Sequence, residues 1–315
     1  MASIDPPEPA PATFAPAMHA RRNALLLLHF TVIIWGFTGI LGRLIDQNAE
    51  QVVYMRTVIG VLGLVLAGWW MGFPVLPNRR DVHHHLLTGV IIAAHWWTFF
   101  HAIKISTVSI AVACLAVSAI FTALLEPIWT KGRVQPWQLL LGAVSFAALL
   151  LIFGLETGYR LGIVVATFSA LFSAWFTVVN GQLVKRDHSG RIGLYELLGA
   201  AIVVGIWMAV EGNLPPPLWE LPTDQIVWHL ILGLVCTAFA FVAGIAVMRQ
   251  LSAFTVSLTV NLEPVYSIVL ALIIWGEDER LHVGSYLGFV LILVCLFANG
   301  WFAKRSEKRF SAESR

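Results

Sequence analysis

Charge is what this sequence has least of. Only 12% of its 315 residues are Asp, Glu, Lys or Arg, against about 25% in ordinary soluble domains. So little charge excludes a disordered chain and a nucleic-acid binder, and fits a soluble enzyme poorly. Cysteine is scarce too. Cys114, Cys236 and Cys295 lie far apart in apolar stretches, with no CxxC pair and no metal-ligand spacing, and read as small packing residues. GxxxxGK[ST] is absent, so the chain carries no ATP-hydrolysing loop of its own. HExxH and TVGYG are absent as well, which removes a zinc-protease pattern and a potassium-channel filter. No cofactor and no metal is expected.

What is abundant is apolar surface. Hydrophobic residues make up 58% of the chain and the mean hydropathy is +0.79. A hydrocarbon core about 30 Å thick needs about 20 apolar residues per helix at 1.5 Å each. On that measure ten segments qualify: 23–42, 51–72, 84–103, 106–128, 135–154, 159–181, 192–210, 226–248, 253–275 and 283–303. The pattern lacks the alternating ten-residue pieces of a membrane β-barrel. The expected fold is therefore an all-α integral membrane protein of ten transmembrane helices. The longest connection, 211–225, contains Pro215-Pro216-Pro217 and cannot be helical there.

Residues 1–22 hold many Pro and Ala and no apolar run, and are expected to form a flexible cytoplasmic extension. The pair Arg21-Arg22 follows that stretch instead of preceding a cleavage site, so it is not a signal peptide. With the N-terminus in the cytoplasm, 15 of the 20 Lys and Arg fall on the cytoplasmic side, including a basic tail over 304–315. The outer loops are acidic, as in Glu277-Asp278-Glu279. Trp69, Trp70, Trp129, Trp137, Trp228, Trp275 and Trp301 fall near the expected interfaces, as an aromatic belt does. Both termini are expected in the cytoplasm and the chain in the cell (inner) membrane.

The fourth and ninth segments align without a gap. Thr107-Val108-Ser109-Ile110 sits over Thr255-Val256-Ser257-Leu258, and Val112, Val117 and Ile120 meet Val260, Val265 and Ile268. Leu141-Gly142 meets Leu287-Gly288 with a two-residue shift, and upstream Lys104 faces Arg249. The period is nearly half the chain. Five spans per half is an odd number, so the second half enters the membrane from the opposite side: an inverted 5+5 repeat.

Several residues in order resemble the drug/metabolite transporter superfamily, EamA-type branch. They are Ile34-Trp35-Gly36-Phe37 in the first span, Tyr54-Met55-Arg56 at the start of the second, Glu263-Pro264-Val265-Tyr266 in the ninth, then Trp275-Gly276-Glu277 and Gly288. The first half departs from the pattern, with Lys131-Gly132-Arg133 where a Gly-Glu turn would stand. The resemblance implies two EamA-like five-helix repeats, 23–154 and 159–303, and export or exchange of small metabolites, often amino acids.

Charge at the bilayer centre costs about 2.5–3.5 kcal/mol on insertion scales, so the few polar groups there matter. Glu263 lies deepest, about 15 Å into the ninth span. With Thr255, Thr259 and Ser267 it forms a stripe at a spacing of four, on one helix face. It either binds a substrate cation or a proton, or is a structural carboxyl. Arg56 either grips a substrate carboxylate bidentately or pairs with Asp46, Glu50 or Glu263. His95, Trp96 and His101 offer an aromatic and imidazole wall, with packed histidines as the plainer alternative. Trp35 lies inside the first span. Glu126 is expected to snorkel or pair with Lys131, and Glu196 to form an interfacial ion pair with Lys185, Arg186 or Arg191. His83-His84-His85 diverge on a helix and read as an interfacial cluster. Pro264 and Pro127 can hinge their helices.

The function expected is secondary transport of a small polar metabolite, amino acids and related zwitterions first, in the export direction. It proceeds by alternating access around a midplane cavity lined by spans one, three, four, six, eight and nine. Substrate contacts are assigned to Glu263, Arg56, His95, Trp96, His101, Thr259 and Trp35. The partners are a small-molecule substrate, the lipid bilayer and a coupling proton, with no nucleic acid, in a monomer or homodimer. The alternatives are a membrane-embedded enzyme acting on a lipid-linked substrate, or the permease subunit of an ATP-driven system.

Overall fold

The computed structural model describes residues 14–77, 79–153, 157–263, 265, 266, 270 and 283–313. The secondary structure of the described residues is helical, with turns between the helices and no strand among them. Among the described residues, eight helices are long and apolar enough to cross a membrane. The shorter Pro136–Leu151 and the helix that starts the ninth span at Ala253 complete ten. The protein is an all-α, multi-pass membrane protein of two inverted five-helix halves.

Spans one to three are α1 (Phe14–Leu44), α2 (Ala49–Met71) and α3 (Val82–Ile105). The helix α1 begins at Phe14, so the last residues of the stretch expected to be flexible are helical. Span four is two pieces, α4 (Val108–Leu115) and α5 (Ser118–Thr130), and span five is α6 (Pro136–Phe153). The second half starts with α7 (Arg160–Leu183) and α8 (Ser189–Glu211). Span eight joins α9 (Thr223–Leu230), a run of wide π-helical turns over Ile231–Phe239, and α10 (Ala240–Val247). Then come α11 (Ala253–Val260) and α12 (Val283–Glu313).

Caps explain where the barely interrupted apolar runs divide. Thr107 accepts from the Ile110 amide and starts α4; Ser252 accepts from the Thr255 amide and starts α11. Each helix then runs eight residues and breaks, at 116–117 and at 261–262. Caps and breaks put the halves in register at a separation of 145 residues. The gapless sequence alignment of these spans slips by three residues from it, close to one helical turn.

Packing is tightest between α3 and α8. A Cβ on Gly89 would strike the Glu196 carbonyl oxygen, and one on Gly199 would strike the Leu86 carbonyl oxygen. Here only glycine lets the backbones touch. Spans four, five, nine and ten share a satellite core of Ala119, Ala123, Leu141, Phe254, Leu258 and Cys295. There Trp137 stands edge-on to Phe254 and stacked on Phe302. The larger core draws residues from all ten spans and surrounds the cavity described next.

The two bundle ends carry matching joints. Ser106, just after α3, packs where a Cβ on Gly162 of α7 would sit, so α3 and α7 run antiparallel. At one end Lys104 Nζ donates to the Ile45 carbonyl at 3.0 Å. At the other, Arg249 Nη2 donates to the Asp187 carbonyl at 2.9 Å. Each cation closes the C-terminal end of the first helix of a half, where carbonyls lack helical partners.

Candidate functional site

Between the halves lies a cavity of about 90 Å³. It holds on the order of seven waters, or one small solute. Its wall comes from spans one, two, three, four, six, eight and nine; span two, with Arg56, adds to the set expected from sequence. Five of the seven residues expected to touch substrate line it: Trp35, Arg56, His95, Trp96 and Glu263.

Arg56 is the largest fully buried side chain. Its Nε donates to Thr237 Oγ1 at 2.9 Å, and its guanidinium lies over the Trp96 ring at 4.0 Å. The Thr237 hydroxyl in turn donates to the Leu232 carbonyl at 2.6 Å, five residues back, inside the π-helical turns. Wide turns of this kind occur mostly at functional sites, and here they present a hydroxyl to the arginine. The close approach also needs Gly233, where a Cβ would meet Ile59 Cγ2 at 2.5 Å. Arg56 Nη1 is buried without a hydrogen-bond partner. A guanidinium held on one edge with a donor left over is built to receive an acceptor.

Glu263, 6% exposed, lines the same cavity, and its charge interacts with that of Arg56. The carboxyl directly follows the break in span nine. Ser118 directly follows the break in span four, 145 residues earlier, and also lines the cavity. The sequence reading missed Ser118; the repeat, read in the register of the caps, pairs it with Glu263. His95 is fixed by Ser169: its Nδ1 donates to the carbonyl oxygen at 2.9 Å and lies 2.8 Å from the hydroxyl. A carbonyl can only accept, so in the neutral ring Nε2 is the acceptor.

Other expectations need correction. Thr259 is buried off the wall, its hydroxyl bonded to the Thr255 carbonyl at 2.7 Å. Thr255 turns to Asn299 of α12 at 3.2 Å. The cavity face of span nine is instead Val256, Ser257, Val260 and Glu263; at about 100° per residue a spacing of four drifts around the helix, so Thr255 and Glu263 lie about 80° apart. His101 stacks on Trp97 at 5.1 Å and does not reach the cavity wall. Pro127 lies near the end of α5, where its carbonyl accepts from Lys131 and Gly132. Pro264 and Ser267 lie outside the described residues, as does the acidic run at 277–279.

Glu126 neither snorkels nor pairs with Lys131. Its two oxygens accept from the Ala253 and Phe254 amides at 3.1 and 3.3 Å, capping α11 across the interface between halves. Glu196 is fully buried and accepts from Asn180 at 3.1 Å, so no interfacial ion pair forms. His85 separates from its neighbours, buried 3.8 Å from Asp187 Oδ2, while the His83 and His84 rings meet at 3.8 Å. The three cysteines are buried and free.

An aromatic-walled cavity lined by an arginine and a carboxyl, between two inverted halves of a membrane bundle, is the plan of a membrane transporter. The chain belongs to the EamA-like transporter family, whose model matches residues 22–154 and 160–300. A pseudopaline exporter, CntI, from Pseudomonas aeruginosa is 26% identical over 79% of this chain and 85% of its own. An uncharacterized transporter, YxxF, from Bacillus subtilis is 21% identical over 86% and 88%. One from Archaeoglobus fulgidus is 24% identical over 86% and 95%. A crystal structure, 17% identical, shares the fold with a TM-score of 0.74 over 91% of this chain. The protein thus works in the bilayer on a small-molecule substrate.

Proposed function

We propose that this transporter is a secondary carrier that exports a small zwitterionic metabolite from the cytoplasm by alternating access, with amino-acid-like compounds first. One observation carries the reading: Arg56 and Glu263, a base and an acid, line a single cavity between the halves. Arg56 Nη1 would take the carboxylate, and Glu263 the cationic group or a coupling proton. Trp35, Trp96 and His95 would wall the apolar part. The name of the pseudopaline exporter supports outward transport of a metabolite. The lysine and arginine asymmetry supports an inner-membrane orientation with both termini, and the Asp187 end, in the cytoplasm. Inverted halves give inward-open and outward-open states of similar energy.

Efflux of a labelled metabolite panel from vesicles, with and without a pH gradient, tests this. Glu263→Gln abolishes flux while the protein stays in the membrane, and Arg56→Lys loses the bidentate grip and raises the half-saturating concentration about tenfold or more. Wild-type flux in both variants overturns the site.

A further inference from the structure

The turn between α7 and α8 borders an open pocket of about 530 Å³, well away from the central cavity. Lys185, Arg186, Arg191 and Arg249 reach it with His188, and Asp187 is its one acid. That acid is engaged at one oxygen; Oδ2 is buried 3.8 Å from His85 Nε2 without a hydrogen bond. Its Oδ1 lies 3.1 Å from Arg191 Nε and accepts from the His188 amide at 2.7 Å. Lys185 and Arg249 are exposed and hold neutral oxygens, of Gln182 and of the Asp187 backbone. The Arg186 side chain is exposed and makes no hydrogen bond or ion pair among the described residues. The positive end of the 23-residue α8 opens here, with His188 Nδ1 accepting from the Gly190 amide at 3.1 Å. Burial, then the charges of Arg249 and Arg191, hold the His188 imidazole below its ordinary range, so the positive field reaches into the pocket.

The fold does not require this charge. The corresponding joint at the other bundle end is closed by Lys104 beside Asp46, and Gln225 there donates to the Asp224 carboxylate at 3.1 Å; its remaining bonds are made by amides and His229, with no convergence of cations on a pocket among the described residues. Isolated surface cations satisfy the lysine and arginine asymmetry of a membrane protein without converging on a pocket. Here they converge at the ends of two membrane helices, the depth at which lipid headgroups begin.

We propose that this pocket binds a phosphate-bearing anion, held by Lys185, Arg186 and Arg249 at the start of α8. Two sources share that chemistry: the headgroup of an anionic lipid, and a soluble phosphate.

The test uses the full chain in neutral detergent. In the lipid arm, native mass spectrometry compares retention of dioctanoyl phosphatidylglycerol and dioctanoyl phosphatidylcholine. In the soluble arm, inorganic phosphate is titrated while NMR follows the His188 ring. The double variant K185Q/R186Q is set beside K131Q/R133Q, which removes the same charge from another exposed loop. Preferential retention of phosphatidylglycerol that falls about tenfold or more in K185Q/R186Q, and little in K131Q/R133Q, supports the pocket with a lipid occupant. An upward shift of the His188 titration on adding phosphate, lost in the same variant, supports it with a soluble one. If neither probe responds to K185Q/R186Q, or K131Q/R133Q matches its effect, the proposal is overturned.

Discussion

The joints at the two bundle ends are one construction made in two materials. At the Ile45 end, Lys104 closes the end of α1, and Gln225 bonds the backbone on either side of Ile45, accepting from the Asp46 amide at 3.2 Å and donating to the Leu44 carbonyl at 3.2 Å. His229 meets Gln47 at 2.8 Å. At the Asp187 end, Arg249 closes α7, and His85 faces the Asp187 carboxylate that pairs with Arg191. Lys104 and Arg249 are 145 residues apart, and His85 and His229 nearly so. Position is repeated; polarity is not. A joint bonded mainly through amides, with Lys104 offset by Asp46 and Asp224, depends chiefly on geometry, whereas a joint crowded with cations depends more on salt, pH and nearby anions. In the alternating-access mechanism proposed above, the two ends need not open in response to the same signal.

The comparison breaks most plainly at Asp187. Its replacement by Ala leaves Arg191 and the buried His85 without their partner, and removal of one member of a buried pair costs about 3 kcal/mol or more. Gln225→Ala at the amide joint loses neutral hydrogen bonds and costs about 1–3 kcal/mol. Denaturant unfolding of the purified variants reads the difference; an equal or larger loss in Gln225→Ala means that the charge adds nothing to the joint.

A smaller effect sharpens the likeness. Arg249→Met and Lys104→Met each uncover a chain-end carbonyl and should lower stability by about 1 kcal/mol, with similar values for the two. A loss confined to one of them would show that the repeated position carries no repeated role.

Much of this was legible beforehand, for a definite reason. Lipid imposes one length and one polarity on every span, so apolar runs report the ten helices, and a rare intramembrane charge reports a polar interior. Arg56, His95, Trp96 and Glu263 reach the cavity on that logic. What the sequence hides is the partner across space. Glu126 caps a helix 127 residues away, and Glu196 finds Asn180 on the preceding helix. Nothing in their own segments signals either. The stripe of Thr255, Thr259 and Glu263 misleads because a spacing of four drifts about 40° per step around a helix, and the cavity meets only the Glu263 side. The π-helical turns that present Thr237 to Arg56 leave no mark in the composition of Ile231–Phe239.

The smallest expected effect follows from the caps. Asn48 starts α2 by accepting from the Gln51 amide at 3.0 Å; His188 starts α8 in the same way but titrates. Its imidazole is held below the ordinary value of 6.5 by burial first and by the charges of Arg249 and Arg191 next, partly offset by Asp187. The folded state therefore binds a proton at His188 less readily than the unfolded chain does. The stabilising contribution is fully present above about pH 6.5 and is lost as the pH falls from there through the folded value. A protonated ring also ceases to accept from Gly190 and adds a positive charge at a positive helix end. His188→Asn copies the first joint into the second: asparagine caps as well and does not titrate. The variant should match wild type near pH 7.5 and lose less melting temperature near pH 5.5, and Asn48→His should import the same acid sensitivity into the Ile45 end. Parallel pH profiles for wild type and His188→Asn would mean that this cap does not sense acid.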